Sequence, residues 1–185
     1  MARVRLNETA DVAESHRWIF ERLEKAGPVL NIFRALSHSP AALRRFMKLG
    51  SYFLDEGKLD PALRELAILR AGWLCRSPYE FSQHIAFARR AGLSDAQVRG
   101  VADPRQSLFE PKQMAVLAFA SEMTANASVS DATWDAVAGF LNEEELVELT
   151  LLTGYYNLVS RTLNTLQVDV DHGAAADLAA LGLDL

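Results

Sequence analysis

The sequence predicts an all-α single domain, on three observations. Apolar residues recur at three- and four-residue spacing along most of the chain. Proline follows Asp or Ser where helices should begin. No stretch alternates apolar and polar residues as a half-buried strand does. The elements follow in order. Ala13 to Lys25 carries Trp18, Ile19 and Leu23 on one side and ends at Gly27-Pro28. Ala41 to Phe53, after Ser39-Pro40, spaces Leu43, Phe46, Met47, Leu49 and Phe53 as a helix face and stops at Asp55-Glu56-Gly57. Asp60-Pro61 reads as N-cap plus first helical residue of a helix reaching about Leu74. Ser77-Pro78 repeats the signature for a helix ending at Gly92. Ser94 to Gln97 is a capping box for a short helix, Pro111 opens a helix to about Ala125, and Ser130-Asp131 caps the next. Asn142 to Glu145 starts a long apolar helix through Leu166, with its acidic residues at the positive end of the dipole. The small, alanine-rich end, 171–185, is expected to form an appendage or short terminal helix.

Composition narrows the classes of function. Half of the 185 residues are hydrophobic and 23% charged, as in an ordinary globular domain. The formal net charge of −5 argues against general affinity for nucleic acid or anionic membranes. No apolar run approaches the ~20 residues of a membrane span, and the N-terminus lacks a signal-peptide core. Cys75 is the single cysteine, so no intramolecular disulfide forms and a cytoplasmic setting is expected. The spacing of Pro78–Gly92 and Ser94–Ala102 superficially suits a DNA-binding helix pair, which the acidic balance opposes.

The chemistry concentrates in Ser77 to His84. Glu80 and His84, four residues apart, lie one helical turn apart on the same face. A short connection folds the preceding helix back alongside, bringing Glu65 near. Three titratable side chains between apolar helices are the makings of an acid/base site. The bland alternative is a structural pairing of Glu65 or Glu80 with arginines such as Arg64 or Arg70. Glu80, His84 and Glu65 could also chelate a metal, but no dense ligand cluster supports this, so neither metal nor cofactor is expected. His16, His38 and His172 read as surface or satisfied histidines. Asn157, Arg161 and Asn164 form a polar row on the last long helix, which either pairs with another helix or subunit or borders the cavity.

Leu59-Asp60-Pro61 with Leu63-Arg64-Glu65, then Tyr79-Glu80-Phe81 and His84, then Arg89-x-x-Gly92-Leu93-Ser94, closely resembles the carboxymuconolactone decarboxylase family, which includes the alkylhydroperoxidase D proteins. Gly154 to Asn157 and Arg161-x-x-Asn164 are similar to its closing helix. The resemblance spans roughly 30–170, with 1–29 as an N-terminal helical extension and 171–185 as the appendage. It implies a helical-hairpin core, active sites near subunit interfaces, and a homo-oligomer (dimer, trimer or hexamer) acting on a small molecule. The peroxidase branch uses a Cys-x-x-Cys pair, here occupied by Ser77 and Glu80, so both redox cysteines are missing. Cys75 lies two residues too early, with nothing to resolve it. What remains is acid/base chemistry on a small lactone or carboxylic acid. His84 is the expected proton donor and acceptor, and Glu80 or Glu65 orients it. Tyr79, Ser77, Tyr156, Arg64 and Arg161 are the expected substrate contacts, the arginines supplying charge for an acidic substrate. The alternatives are hydroperoxide reduction through Cys75 alone and a non-catalytic ligand-binding oligomer.

Overall fold

A single helix, too apolar to have a solvent face, organises the molecule. The computed structural model describes residues 2–183 and Leu185; of the two expected terminal segments, Met1 and Asp184 lie outside the described residues. Ten α-helices run through it: α1 Glu14–Glu24, α2 Asn31–Leu36, α3 Pro40–Ser51, α4 Pro61–Leu74, α5 Pro78–Arg90, α6 Asp95–Gly100, α7 Pro111–Asn126, α8 Asp131–Ala138, α9 Glu143–Leu166 and α10 His172–Ala180. No strand occurs among the described residues, and no helix there is long and apolar enough to cross a membrane. α4 buries Leu63, Glu65 to Leu69, Ala71 and Gly72, residues that point all round its axis, so it can only be a central helix. It packs on α7, α5 and α9. Its Leu63, Ala67, Ile68 and Ala71 join a core with α7 and α9, while Leu66 and Leu69 join a second core with α5, α6 and α7.

The predicted caps are largely realised. Asp60 Oδ1 accepts from the amides of Ala62 and Leu63, and Ser94–Gln97 and Asn142–Glu145 form reciprocal capping boxes. Ser130 accepts from Thr133. Ser77 is the exception: its side chain makes no cap bond, is fully buried, and its hydroxyl has no hydrogen-bond partner. The α4–α5 connection explains why the helices still turn there. Arg76 adopts a left-handed φ of 49°, and the amides of Cys75, Arg76 and Ser77 return to the carbonyls of Ala71, Trp73 and Gly72. Asn164 Nδ2 holds the connection from α9, donating to the carbonyls of Cys75 and Arg76.

Two features departed from the pattern. The predicted Ala41–Phe53 helix ends at Ser51 and continues as one π-helical turn, Tyr52–Glu56, before Gly57. Buried Glu148 on α9 accepts from the amides of Lys58 and Leu59 beyond that turn. A Cβ on Gly57 would meet Glu148 Oε1 and come within 2.9 Å of the Phe53 carbonyl. Gly57→Ala is therefore expected to destabilise the protein by ~1–3 kcal/mol in urea unfolding; an unchanged midpoint would show that the turn relaxes freely. The second departure is the short helix α2, too brief for periodicity to register.

α1 and α3 form a small separate core of Val12, Ile19, Phe20 and Leu43, and lie as a roof beside the hairpin. At the other end α10 packs on α5, where Arg89 bridges Asp95 and Asp177. Asp171, just before α10, accepts from the Tyr79 hydroxyl (2.5 Å), Gln83 Nε2 and the Asn31 amide. The C-terminal segment thus clamps α5 to α2.

Candidate functional site

The α4–α5 hairpin is antiparallel, and this sets Glu65 of α4 opposite His84 of α5. Glu65 Oε2 stands 2.7 Å from His84 Nδ1, and Glu80 Oε1 stands 3.1 Å from His84 Nε2. The other oxygen of Glu65 accepts from Arg64 Nε at 3.0 Å, and the Arg64 guanidinium also reaches the carbonyls of Phe53 and Leu54 in the π-helical turn. The result is a buried alternating row of Arg64, Glu65, His84 and Glu80. Glu65 is wholly buried, and the side chains of His84 and Glu80 are 7% and 5% exposed. Phe87 stacks on the imidazole, and Tyr156 presents an edge to it, with centroids 5.2 and 5.0 Å away.

Burial by itself pushes the imidazole toward its neutral form. The charges and hydrogen bonds of Glu65 and Glu80 outweigh it, and the pKa of His84 is pushed up to about 9. An imidazolium carries an N–H on each nitrogen, and here each N–H faces a carboxylate oxygen. Because the folded pKa lies above the unfolded value of 6.5, the stabilisation is fully present below pH 6.5 and lost as pH rises through about 9. Thermal melts across that window should show falling stability, with a shallower slope in His84→Gln. A rise in stability with pH would contradict the assignment.

Above this row lies a cavity of about 260 Å³. Its floor is α5, through Tyr79, Glu80, Gln83, His84 and Phe87; its wall is α9, through Tyr155, Tyr156 and Val159. The roof comes from Leu23 of α1, Ile32 and Phe33 of α2, and Phe46, Met47, Gly50 and Ser51 of α3. Tyr155 fastens wall to roof by donating to the Phe46 carbonyl at 2.9 Å.

Of the residues expected from the sequence, Glu80, His84, Tyr79 and Tyr156 line this cavity, and Glu65 stands directly behind His84. The Tyr79 hydroxyl is engaged elsewhere, by Asp171 and by the Ile32 amide. Burial and the hydrogen bond to Asp171 raise its pKa, and burial, with Glu80 and Glu65 behind it, raises that of Tyr156, so both stay protonated. Arg64 faces Glu65 and the π-helical turn, and Ser77 lies buried at the hairpin connection; neither lines the cavity. Arg161 does not line it either. The polar row on α9 pairs with its neighbours instead: Asn157 with Thr124, Arg161 with the Thr124 carbonyl, Asn164 with the hairpin connection. Cys75 belongs to that side as well. Its Sγ lies 3.5 Å from Asn157 Oδ1, and burial raises the thiol pKa against the opposing influence of Arg161.

Sequence reading missed the roof, and Gln83 and Phe87 on the floor. Their signal was available only in part: Gln83 and Phe87 are the i+3 and i+7 neighbours of Glu80, but nothing local aims α1 and α3 at the hairpin. No group of three or more His, Cys, Asp or Glu side chains among the described residues is arranged to hold a metal ion.

Comparison with known proteins is consistent with this architecture. The model of the carboxymuconolactone decarboxylase family matches residues 40–122. No curated protein matches the sequence. Among solved structures, a peroxidase-related protein from Ralstonia eutropha JMP134, described as an alkylhydroperoxidase AhpD core, is 24% identical with a TM-score of 0.81, covering 94% of each chain. A peroxidase-related protein from Silicibacter sp. TM1040 is 20% identical, TM-score 0.80, covering 94% of this chain and 93% of its own. The debrominase Bmp8, in complex with 2,3,4-tribromopyrrole, is 18% identical, TM-score 0.79, covering 98% of this chain and 100% of its own. At these identities the likeness is one of fold.

Proposed function

For a chain whose residues 40–122 belong to the carboxymuconolactone decarboxylase family, we propose an acid/base enzyme, lyase- or isomerase-like, acting on a small lactone or carboxylic acid without a redox cysteine pair. The observation that carries this reading is the hydrogen-bonded array Glu65–His84–Glu80 at the floor of an otherwise apolar cavity. Both ring nitrogens of His84 are occupied, so the group presented to a substrate is the Glu80 carboxylate. In the resting state Glu80 takes the proton on the carbon beside the substrate carbonyl. The electron pair moves onto the carbonyl oxygen as an enolate, and the protonated Glu80 returns the proton to the same carbon or a conjugated one. His84, held as imidazolium by its carboxylate neighbours, donates its Nε2–H to Glu80 Oε1 and fixes that side chain in place. Tyr156, protonated and lining the cavity beside His84, is the donor this reading assigns to the developing oxyanion.

Hydroperoxide reduction through Cys75 draws less support. The thiol lies outside the cavity lining, and its pKa is raised rather than lowered. Self-association belongs to the same reading, supported by Val147, Leu151 and Leu158, which stand 52–58% exposed along the outer face of α9. The test is proton exchange. Purified protein in deuterated water should exchange the α-hydrogens of a small lactone, read by proton NMR, and Cys75→Ser should exchange them equally well. No exchange above buffer across a panel of lactones and carboxylic acids, with hydroperoxide consumption that vanishes in Cys75→Ser, would replace this reading with the thiol one.

A further inference from the structure

The cavity also limits the charge of what can enter it. Taking this cavity as the substrate site, we propose that it selects an uncharged, largely apolar molecule of about ten non-hydrogen atoms bearing one carbonyl-type group, and that it rejects carboxylates. Four observations lead there. No lysine or arginine lines the cavity. The two arginines a carboxylate substrate would need are committed elsewhere: Arg64 to Glu65 and two backbone carbonyls, Arg161 to the Thr124 carbonyl on an exposed face.

Third, the buried row beneath the cavity holds two cations, Arg64 and the His84 imidazolium, and two anions, Glu65 and Glu80. Glu80 and His84 both line the cavity, but each imidazolium N–H already faces a carboxylate oxygen, so the group left to meet a ligand is the Glu80 carboxylate. An entering carboxylate would be desolvated against a like charge, with no cationic N–H left free to pair with it. Fourth, the hydroxyls of Tyr79 and Tyr155 are bonded away from the cavity, to Asp171 and to the Phe46 carbonyl, and Gln83 Nε2 donates to Asp171. That leaves Glu80, Tyr156 and Ser51 as polar groups among aliphatic and aromatic side chains, enough to orient one polar function. Size follows from volume: a dry apolar cavity of ~150 Å³ accepts benzene, so one of about 260 Å³ suits a ring with a small fused or attached group.

Phthalide, a neutral bicyclic lactone, and its ring-opened anion 2-(hydroxymethyl)benzoate differ chiefly in charge and test this directly. Met47 lines the cavity, so its ¹³C-labelled methyl signal, assigned with Met47→Leu, reports both where and how tightly each binds. At neutral pH phthalide should shift the Met47 signal, with an affinity at least about tenfold above that of the carboxylate. Glu80→Gln should narrow that ratio several-fold by admitting the anion, its fold checked by the dispersion of the remaining methionine signals. Equal or tighter binding of the carboxylate overturns the proposal, as does a Met47 signal unmoved by millimolar phthalide. A ratio unaltered in folded Glu80→Gln removes Glu80 as the discriminating charge and overturns it too. Selective binding of phthalide, without α-proton exchange in any lactone that carries α-hydrogens, would sink the proton-transfer reading while leaving this inference standing. Exchange accompanied by a preference for carboxylates would do the reverse.

Discussion

Glu80→Gln is expected to slow lactone α-proton exchange by ~10²–10⁴-fold, the span typical of losing a positioned general base. The amide keeps the size of the side chain and can still accept from His84 Nε2, so the cavity and its floor persist while the proton acceptor is lost. His84→Gln should cost less directly and differently. It removes the imidazolium that sits 3.1 Å from Glu80, so the carboxylate loses its nearest cationic partner. The gap between wild type and His84→Gln should therefore narrow as pH rises through about 9, where the wild-type imidazolium is itself lost, while Glu80→Gln shows a uniform drop. If instead His84→Gln abolishes exchange and Glu80→Gln leaves it near wild type, the histidine itself meets the substrate and the roles assigned to the two are reversed. The split between rate and pH profile separates a group that moves the proton from one that positions its partner.

Glu65→Ala is expected to be the most destabilising single change in the site, by about 3–5 kcal/mol at neutral pH. Glu65 is fully buried, and it alone joins α4's own Arg64 to His84 across the hairpin. Removing it leaves a guanidinium bound only by two long bonds to carbonyls, and an imidazolium with one carboxylate where it had two. His84 should then lose its proton at lower pH, because burial remains and half of the opposing charge is gone. Urea unfolding should show both effects, a lower midpoint at neutral pH and a flatter dependence of stability on pH than wild type. Glu65→Gln, which keeps one acceptor oxygen where there were two, should fall between. A loss below about 1 kcal/mol for Glu65→Ala would mean that the row contributes little to the fold, since that is the range of an exposed ion pair.

Sequence pattern and tertiary arrangement contributed different parts of this molecule. Helix starts were legible because caps are local chemistry: Asp60 before Pro61, Ser94 with Gln97 and Asn142 with Glu145 satisfy amides within three residues of themselves. The Glu80–His84 contact was legible for the same reason, since a helix sets residues four apart on one face. Glu65 opposite His84 needed one further inference, that two helices joined by a tight connection lie antiparallel, and the left-handed Arg76 is what makes that connection tight. Ser77 looked like a cap by type but is buried without one, because side-chain direction at a connection depends on what packs over it.

Whether an arginine faces a cavity is likewise a property of packing. Arg64 and Arg161 were equivalent candidates in one dimension, and neither reaches the cavity in three. By itself the sequence determined the helices, their order, the absence of a cysteine pair and the three titratable groups, all of which rest on contacts within a few residues or on identity alone. The tertiary structure alone decided that α1 and α3 roof the site, that Asp171 ties Tyr79 and Gln83 from the far end of the chain, and that the cavity is apolar with a single carboxylate on its floor. Those are contacts between residues tens of positions apart, and they are set by which apolar faces find one another when the chain folds.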